Sequence, residues 1–280
     1  DSYGSHHLYD TGGVPSTAGV VGNAAFMNRD VGHNLGHQST PDLNLAGTSF
    51  NISGRFLLRS KPAADMVALS KYYIGTNQRG YRLAYEHDID RMVFRMSNNG
   101  VNTVACIAHA LGSPALNTWY YFDVTYNLST GQISFEVDRG PADRAKLQGG
   151  AFQGTGRFYL GRQDSSPSTY WDGALDDIAI HTRILNKAEK DFRYNNGSGQ
   201  EIPNLPTNRG IIHIAGSGKL GFTAARVPFQ RNCFHHLGRY WLFYGVYDND
   251  TGPIGVYYIT STDGVTWVSI HAPRAGSDRD

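Results

Sequence analysis

Short apolar runs of strand length recur about every ten residues along this chain from Val20 onward. They are Phe50–Leu58, Met66–Ile74, Tyr81–Tyr85, Met92–Met96, Thr103–Ala108, Trp119–Tyr126, Gln132–Val137, Arg157–Leu160 and Ala174–Ile180. Turn-forming residues separate them: Gln78-Arg79-Gly80, Ser97-Asn98-Asn99-Gly100, Ser129-Thr130-Gly131 and Gly149-Gly150. Asn99-Gly100 carries a strong signal for a tight hairpin turn. Many short strands at even spacing predict an all-β fold built as a two-sheet antiparallel sandwich or jelly roll.

The most informative run is Trp171-Asp172-Gly173-Ala174-Leu175-Asp176-Asp177-Ile178-Ala179-Ile180-His181. A strand's two-residue period puts Asp176, Ile178 and Ile180 on one face and Leu175, Asp177 and Ala179 on the other. Asp176 is therefore expected to point with the isoleucines into a core, where a bare charge must find donors or a metal.

The run also resembles the closing strand of laminin-G-like, concanavalin A-like jelly-roll domains. Further parts of that family's pattern occur upstream in the right order. Gly22-Asn23-Ala24-Ala25-Phe26 is similar to an early strand. Thr40–Leu45 followed by Ser49–Phe56 is similar to the next pair, and Asn117–Tyr126 to a mid-domain strand. The resemblance covers residues 8–195 and implies the jelly-roll fold.

Around it the chain is expected to divide into an N-terminal arm (1–20), the sandwich (21–198), a linker (199–207) and a small β region (208–280). The linker reading rests on Pro203 and Pro206, which favour extended backbone. In the last region Tyr240–Tyr247 and Gly255–Thr260 read as strands. Ser261-Thr262-Asp263-Gly264-Val265-Thr266-Trp267 resembles the Asp-box turn of a β-propeller blade, and Arg226-Val227-Pro228 resembles an entry segment of sialidases. A propeller needs four or more blades, so this region is a fragment of a longer protein or a hairpin appendage.

Composition narrows the function. With 33 glycines, 17 tyrosines and 18% charged residues, the 280-residue chain suits strands and tight turns. A net charge of +1 with scattered arginines makes no electrostatic case for nucleic acid, and no apolar run reaches the roughly 18 residues of a membrane span. Cys106 and Cys233 read as small buried hydrophobes. The Asp1 start suggests a processed or excised piece. The sequons at Asn51, Asn127, Asn196 and Asn249 are of the number chance provides, and His6-His7 reads as a solvated or tag-like pair.

Catalytic patterns are weak. Glucanases similar to this fold place alternate carboxylates along one strand. Glu86-His87-Asp88-Ile89-Asp90-Arg91 supplies the first two and then Arg91, and a polar hairpin tip is the simpler reading. Near the expected acid of a propeller enzyme stands Asn232, whose amide cannot act as a base. No catalytic residue is assigned. The resemblance does imply a structural Ca²⁺, with Asp176 as carboxylate ligand, Gly22 or Asn23 as carbonyl donor and Asp10 assisting; the alternative is Asp176 held by backbone amides. Tyr170, Trp171 and Asp172, with the loop Asp164–Thr169, are the candidate sugar contacts, the alternative for the tryptophan being packing. His33, His37 and the His235-His236 pair match no metal spacing.

The expected role is a non-catalytic recognition or adhesion module, extracellular or surface-displayed, whose partner is a glycan or a surface protein. Alternatives are a structural component of a phage tail, fibre or capsid, with self-association or virion neighbours, and an accessory domain of a glycoside hydrolase or sialidase.

Overall fold

The computed structural model describes residues 7–40, 43–164 and 169–199, and beyond them the backbone of four strands. The chain divides into two compact units, Asp1–Pro203 and Asn204–Asp280. In the first unit the strands are β1 (Tyr9–Thr11), β2 (Ser16–Ala18), β3 (Asn23–Met27), β4 (Asn34–His37), β5 (Phe50–Leu58), β6 (Met66–Tyr73) and β7 (Gln78–Glu86). They continue as β8 (Arg91–Gly100), β9 (Val104–Ile107), β10 (Trp119–Asn127), β11 (Gln132–Val137), β12 (Asp143–Lys146), β13 (Phe158–Leu160) and β14 (Gly173–His181), followed by helix α1 (Lys187–Tyr194).

Two seven-stranded antiparallel sheets result. Sheet A runs β1-β4-β13-β6-β7-β8-β9, and sheet B runs β12-β11-β10-β5-β14-β3-β2. The two sheets make the expected sandwich. Its core is filled by alternate residues of the facing strands: Phe50, Ile52, Phe56 and Leu58 from β5, Tyr81, Leu83 and Tyr85 from β7, and Phe122, Val124 and Tyr126 from β10, all at most 2% exposed. Residues 7–20, expected as an arm, instead add β1 and β2 to the sheet edges by pairing with β4 and β3. Such edges need backbone hydrogen bonds but little apolar surface, so they leave a faint pattern in sequence.

Two local expectations change. Asn99-Gly100 does not form a two-residue hairpin, because Gly100 pairs with Arg79 while β8 meets β9 through Met96 and Val104. Gly100 is used to close against β7 rather than to reverse the chain. The expected alternation in β14 also breaks. The β5–β14 register shifts between Asp176 and Ala179, and Asp177 adopts φ 49°. This β-bulge inserts one residue and exchanges the faces. Leu175 faces the core before it, and Ile178 and Ile180 face the core after it. Asp176, paired with Arg55, lies on the outer face of sheet B and not with the isoleucines.

The second unit holds β15 (Cys233–His236), β16 (Arg239–Asp248), β17 (Gly252–Ser261) and β18 (Val268–Ile270), an antiparallel meander in that order. The linker residues 200–207, Arg226–Pro228 and Thr262–Trp267 of the Asp-box resemblance lie outside the described residues.

At one end of the sandwich Lys71 is 1% exposed, and its ammonium donates to Ser39 Oγ (2.7 Å), Gly154 O (3.0 Å) and Gly156 O (2.5 Å). Burial lowers its pKa from 10.5 to about 8, against the opposing pull of Asp164. Above pH 8 the folded chain sheds this proton while the unfolded chain retains it up to about pH 10.5, so the lysine's contribution to stability rises with pH across that window. Chemical denaturation from pH 7.5 to 10 should show wild type gaining stability relative to Lys71→Met. Parallel profiles for the two proteins would refute the shift.

Candidate functional site

Of the three residues expected to meet sugar, one stays near the surface. Trp171 is 0% exposed and packs edge-on against Phe56, with ring centroids 6.1 Å apart and planes at 89°. It is a core residue and not a platform, a correction that follows from the size of its ring: burying it removes a large apolar area from water. Asp172 is also buried. It takes Arg59 Nε at 3.2 Å and Arg59 NH2 at 2.5 Å, together with Ser60 Oγ, while its carbonyl accepts Arg59 N. All of its acceptors serve to lock β14 to the end of β5. Tyr170 remains half-buried, and its hydroxyl accepts Arg162 NH1 at 3.2 Å.

Tyr170 belongs to a cluster on the outer face of sheet A. Cross-strand register runs Gly36, Tyr159, Ser70, Arg82, Arg95 and Ala105 in one row across six strands. Each of these is one position away from a core residue, so the row faces outward. Gly36 leaves room for the Tyr159 ring, since a Cβ there would meet it at 2.7 Å. The Arg162 guanidinium lies over Tyr159 at 4.8 Å and over Tyr170 at 5.3 Å, so it is stacked against two rings. The loop carrying it leaves β13 at Gly161 and returns where Trp171 N donates to Gly161 O. Residues 165–168 of this loop lie outside the described residues.

Next to this stack is a closed ion network. Glu86 Oε1 accepts Arg82 NH2 (3.0 Å) and Arg95 Nε (2.5 Å), and Oε2 accepts Arg95 NH2 (2.7 Å). Arg82 also donates to Gln163 Oε1 and Asp65 Oδ2 and lies over Tyr72. Arg82 and Arg95 are directly opposite in register, an arrangement of like charges that Glu86 neutralises. Burial would raise the Glu86 pKa, but the hydrogen bonds and charges of Arg95 and Arg82 outweigh it and hold the carboxyl below its ordinary range. A carboxylate so held is a poor proton donor. The glucanase-like spacing is also absent in space, because β7 ends at Glu86 and Asp88 sits in the 3-10 turn His87–Ile89.

The four residues of the expected calcium site are not brought together as ligands. Asp176 Oδ2 accepts Val20 N and Val21 N, both at 2.8 Å. The 19–22 turn, closed by Gly19 N to Gly22 O, wraps this carboxylate so tightly that a Cβ on Gly19 would meet it at 2.6 Å. Two amide hydrogens are thus spent on Oδ2, the oxygen nearest the turn, and Gly22 O accepts Gly19 N. Asn23 is exposed on β3, and both oxygens of Asp10 accept Val14 N at the edge of sheet A. Among the described residues no group of three or more His, Cys, Asp or Glu is placed to hold a metal. This donor set does not fit Ca²⁺, which wants six to eight oxygens. Leu111, Val137 and Pro141 with Asp138 and Asp143 line a groove of about 220 Å³, in which Asp143 accepts Ala110 N and Asp138 accepts Tyr121 N.

The sequence signal for the outward residues of sheet A was available strand by strand, since Tyr159, Arg82 and Arg95 each flank core positions. Their alignment into one row was not, because register between strands distant in sequence is set by the fold.

Residues 33–189 match the Laminin_G_3 family, described as the concanavalin A-like lectin/glucanases superfamily. The chain belongs to that family. Among solved structures, the binding domain of Paraclostridial Mosquitocidal Protein 1 is similar at TM-score 0.56 and 12% identity, covering 97% of this chain and 64% of that one. The receptor binding domain of botulinum neurotoxin mosaic serotype C/D is similar at 0.52 and 11% (68% and 46%), and the botulinum neurotoxin serotype D binding domain at 0.51 and 11% (69% and 47%). The chain thus spans between about half and two thirds of the length of these structures, and at such identities the likeness is one of fold. No curated protein sequence matches the chain.

Asp176→Asn should cost about 1.5–3 kcal/mol, the range for a hydrogen bond to a charged group. The melting midpoint of wild type should be the same in millimolar Ca²⁺ and in chelator. A midpoint that drops in chelator would restore the calcium assignment.

Proposed function

We propose that the sandwich is a non-catalytic recognition module that works at an exposed surface and takes a glycan or a surface protein on the outer face of sheet A. The observation that carries this reading is the stack of Arg162 against Tyr159 and Tyr170 beside the Arg82–Glu86–Arg95 network. The half-buried ring of Tyr170 and a guanidinium fixed against it and against the buried ring of Tyr159 suit the apolar faces and hydroxyls of a sugar, or the mixed surface of a protein. The neighbouring glutamate is held by two arginines and offers neither a free base nor a free acid. The similar solved structures named as binding or receptor-binding domains support the same reading by fold analogy. No helix among the described residues is long and apolar enough to cross a membrane.

A glycan array and light scattering on the intact chain test the proposal. A saturable glycan signal that falls at least about tenfold in Arg162→Ala and Tyr170→Ala, with the melting midpoint kept within a few degrees, is the expected result; tenfold corresponds to about 1.4 kcal/mol. A defined oligomer with no glycan signal would move the reading to an assembly component. Hydrolysis of array glycans would overturn the non-catalytic reading.

A further inference from the structure

Helix α1 is amphipathic in the unusual sense. Its buried residues are Lys190 and Arg193, whereas Phe192 is 46% exposed. It caps well, with an Asn186–Glu189 capping box, but eight residues do not hold a helix in water without tertiary contacts. Apart from the ring of Tyr194 against that of Tyr121, with centroids 5.5 Å apart, those contacts are mainly polar. Lys190 Nζ reaches Asp123 Oδ1 at 2.6 Å, Arg193 Nε donates to Ser53 Oγ at 3.0 Å, and Arg193 NH2 donates to Asp177 O and Oδ1 at 3.0 and 3.1 Å. Arg55 NH2 donates to the carbonyls of Arg193 and Tyr194 at the helix end. Burying such pairs costs nearly as much in desolvation as their attraction returns, so the ion pairs add little net stability to the docking of α1.

The surface beneath is a flat polar patch on sheet B. Register aligns His181 with Asn51 and Thr125, Ser53 with Asp123, and Arg55 with Tyr121. With α1 docked, Asn51 Oδ1, Asp123 Oδ2, Asp177 Oδ2 and His181 Nε2 are buried without a hydrogen-bond partner in the protein. Each is a desolvated group that regains partners when the helix lifts. Carboxylate, amide, guanidinium and phenol on one flat face form the donor and acceptor set that sugar hydroxyls take.

We infer that α1 is a strap that opens independently of the sandwich and covers a second polar face able to bind a saccharide. Leu185, 4% exposed, anchors the strap at its start and serves as the hinge. This face lies on the sheet opposite the Tyr159–Arg162–Tyr170 stack and does not depend on it.

Hydrogen exchange on the intact chain should show the α1 amides exchanging about 100-fold faster or more than those of β5 and β10, as local opening requires. Exchange of α1 in step with those strands would overturn the strap. Lys190→Glu with Arg193→Glu sets like charges against Asp123 and Asp177 and should lift the helix without altering the sheet. On an array of neutral and acidic oligosaccharides the double variant should gain signals that wild type lacks, and adding Asn51→Ala should remove them. A folded double variant with no new signal would overturn the binding face, and a double variant that fails to fold would show that α1 is part of the fold and not a strap.

Discussion

The bulge at Asp176–Asp177 sets the geometry on which both the core and the outer face of sheet B depend. One extra residue in β14, with Asp177 at φ 49°, lets Leu175 face the core on one side of the bulge and Ile178 and Ile180 on the other. It frees Asp176 to face Arg55 and to hold the 19–22 turn by two amides. Without it, regular alternation would bury a carboxylate among Phe50, Ile52 and Phe56, an arrangement far costlier than the strain of one left-handed residue. The bulge therefore makes Asp176 a fold residue and sets Asp177 beside Arg193 of α1.

The same logic recurs across the molecule. Carboxylates that stand out in the sequence are consumed by arginines, lysines and amides: Asp172 by Arg59, Glu86 by Arg82 and Arg95, Asp123 by Lys190. Such buried pairs add little net stability, because desolvation offsets their attraction, but they fix which strands and loops meet. Arginine is well suited to this work, since one planar group serves two acceptors and stacks on a ring at once, as Arg82 does on Tyr72 and Arg55 on Tyr121. The scattered arginines thus have a structural account that does not involve nucleic acid.

A concanavalin A-like sandwich hosts lectins and glucanases alike, so function must be argued from the side chains on its faces. Here the outer face of sheet A joins a guanidinium fixed between two tyrosines to a neutralised glutamate. In the recognition reading proposed above, that combination supplies the oriented donors and ring faces that binding needs, whereas hydrolysis needs a carboxyl free to give and take a proton.

Sequence alone determined the strands with large apolar content and the fold class they imply. Phe50–Leu58 and Gln132–Val137 coincide with β5 and β11, because dense alternation in a half-buried strand is a local property. The family resemblance was legible for the same reason. The edge strands β1, β2 and β12 were not, since short polar edges are held by backbone bonds that any residue can make. The candidate site divides in the same way. Tyr170 was legible as an aromatic beside the closing strand. Its stacking partner Arg162, the row through Tyr159, Arg82 and Arg95, and the burial of Trp171 and Asp172 were decided only by tertiary structure. They depend on cross-strand register and on a single inserted residue, and neither leaves a periodic trace in the chain.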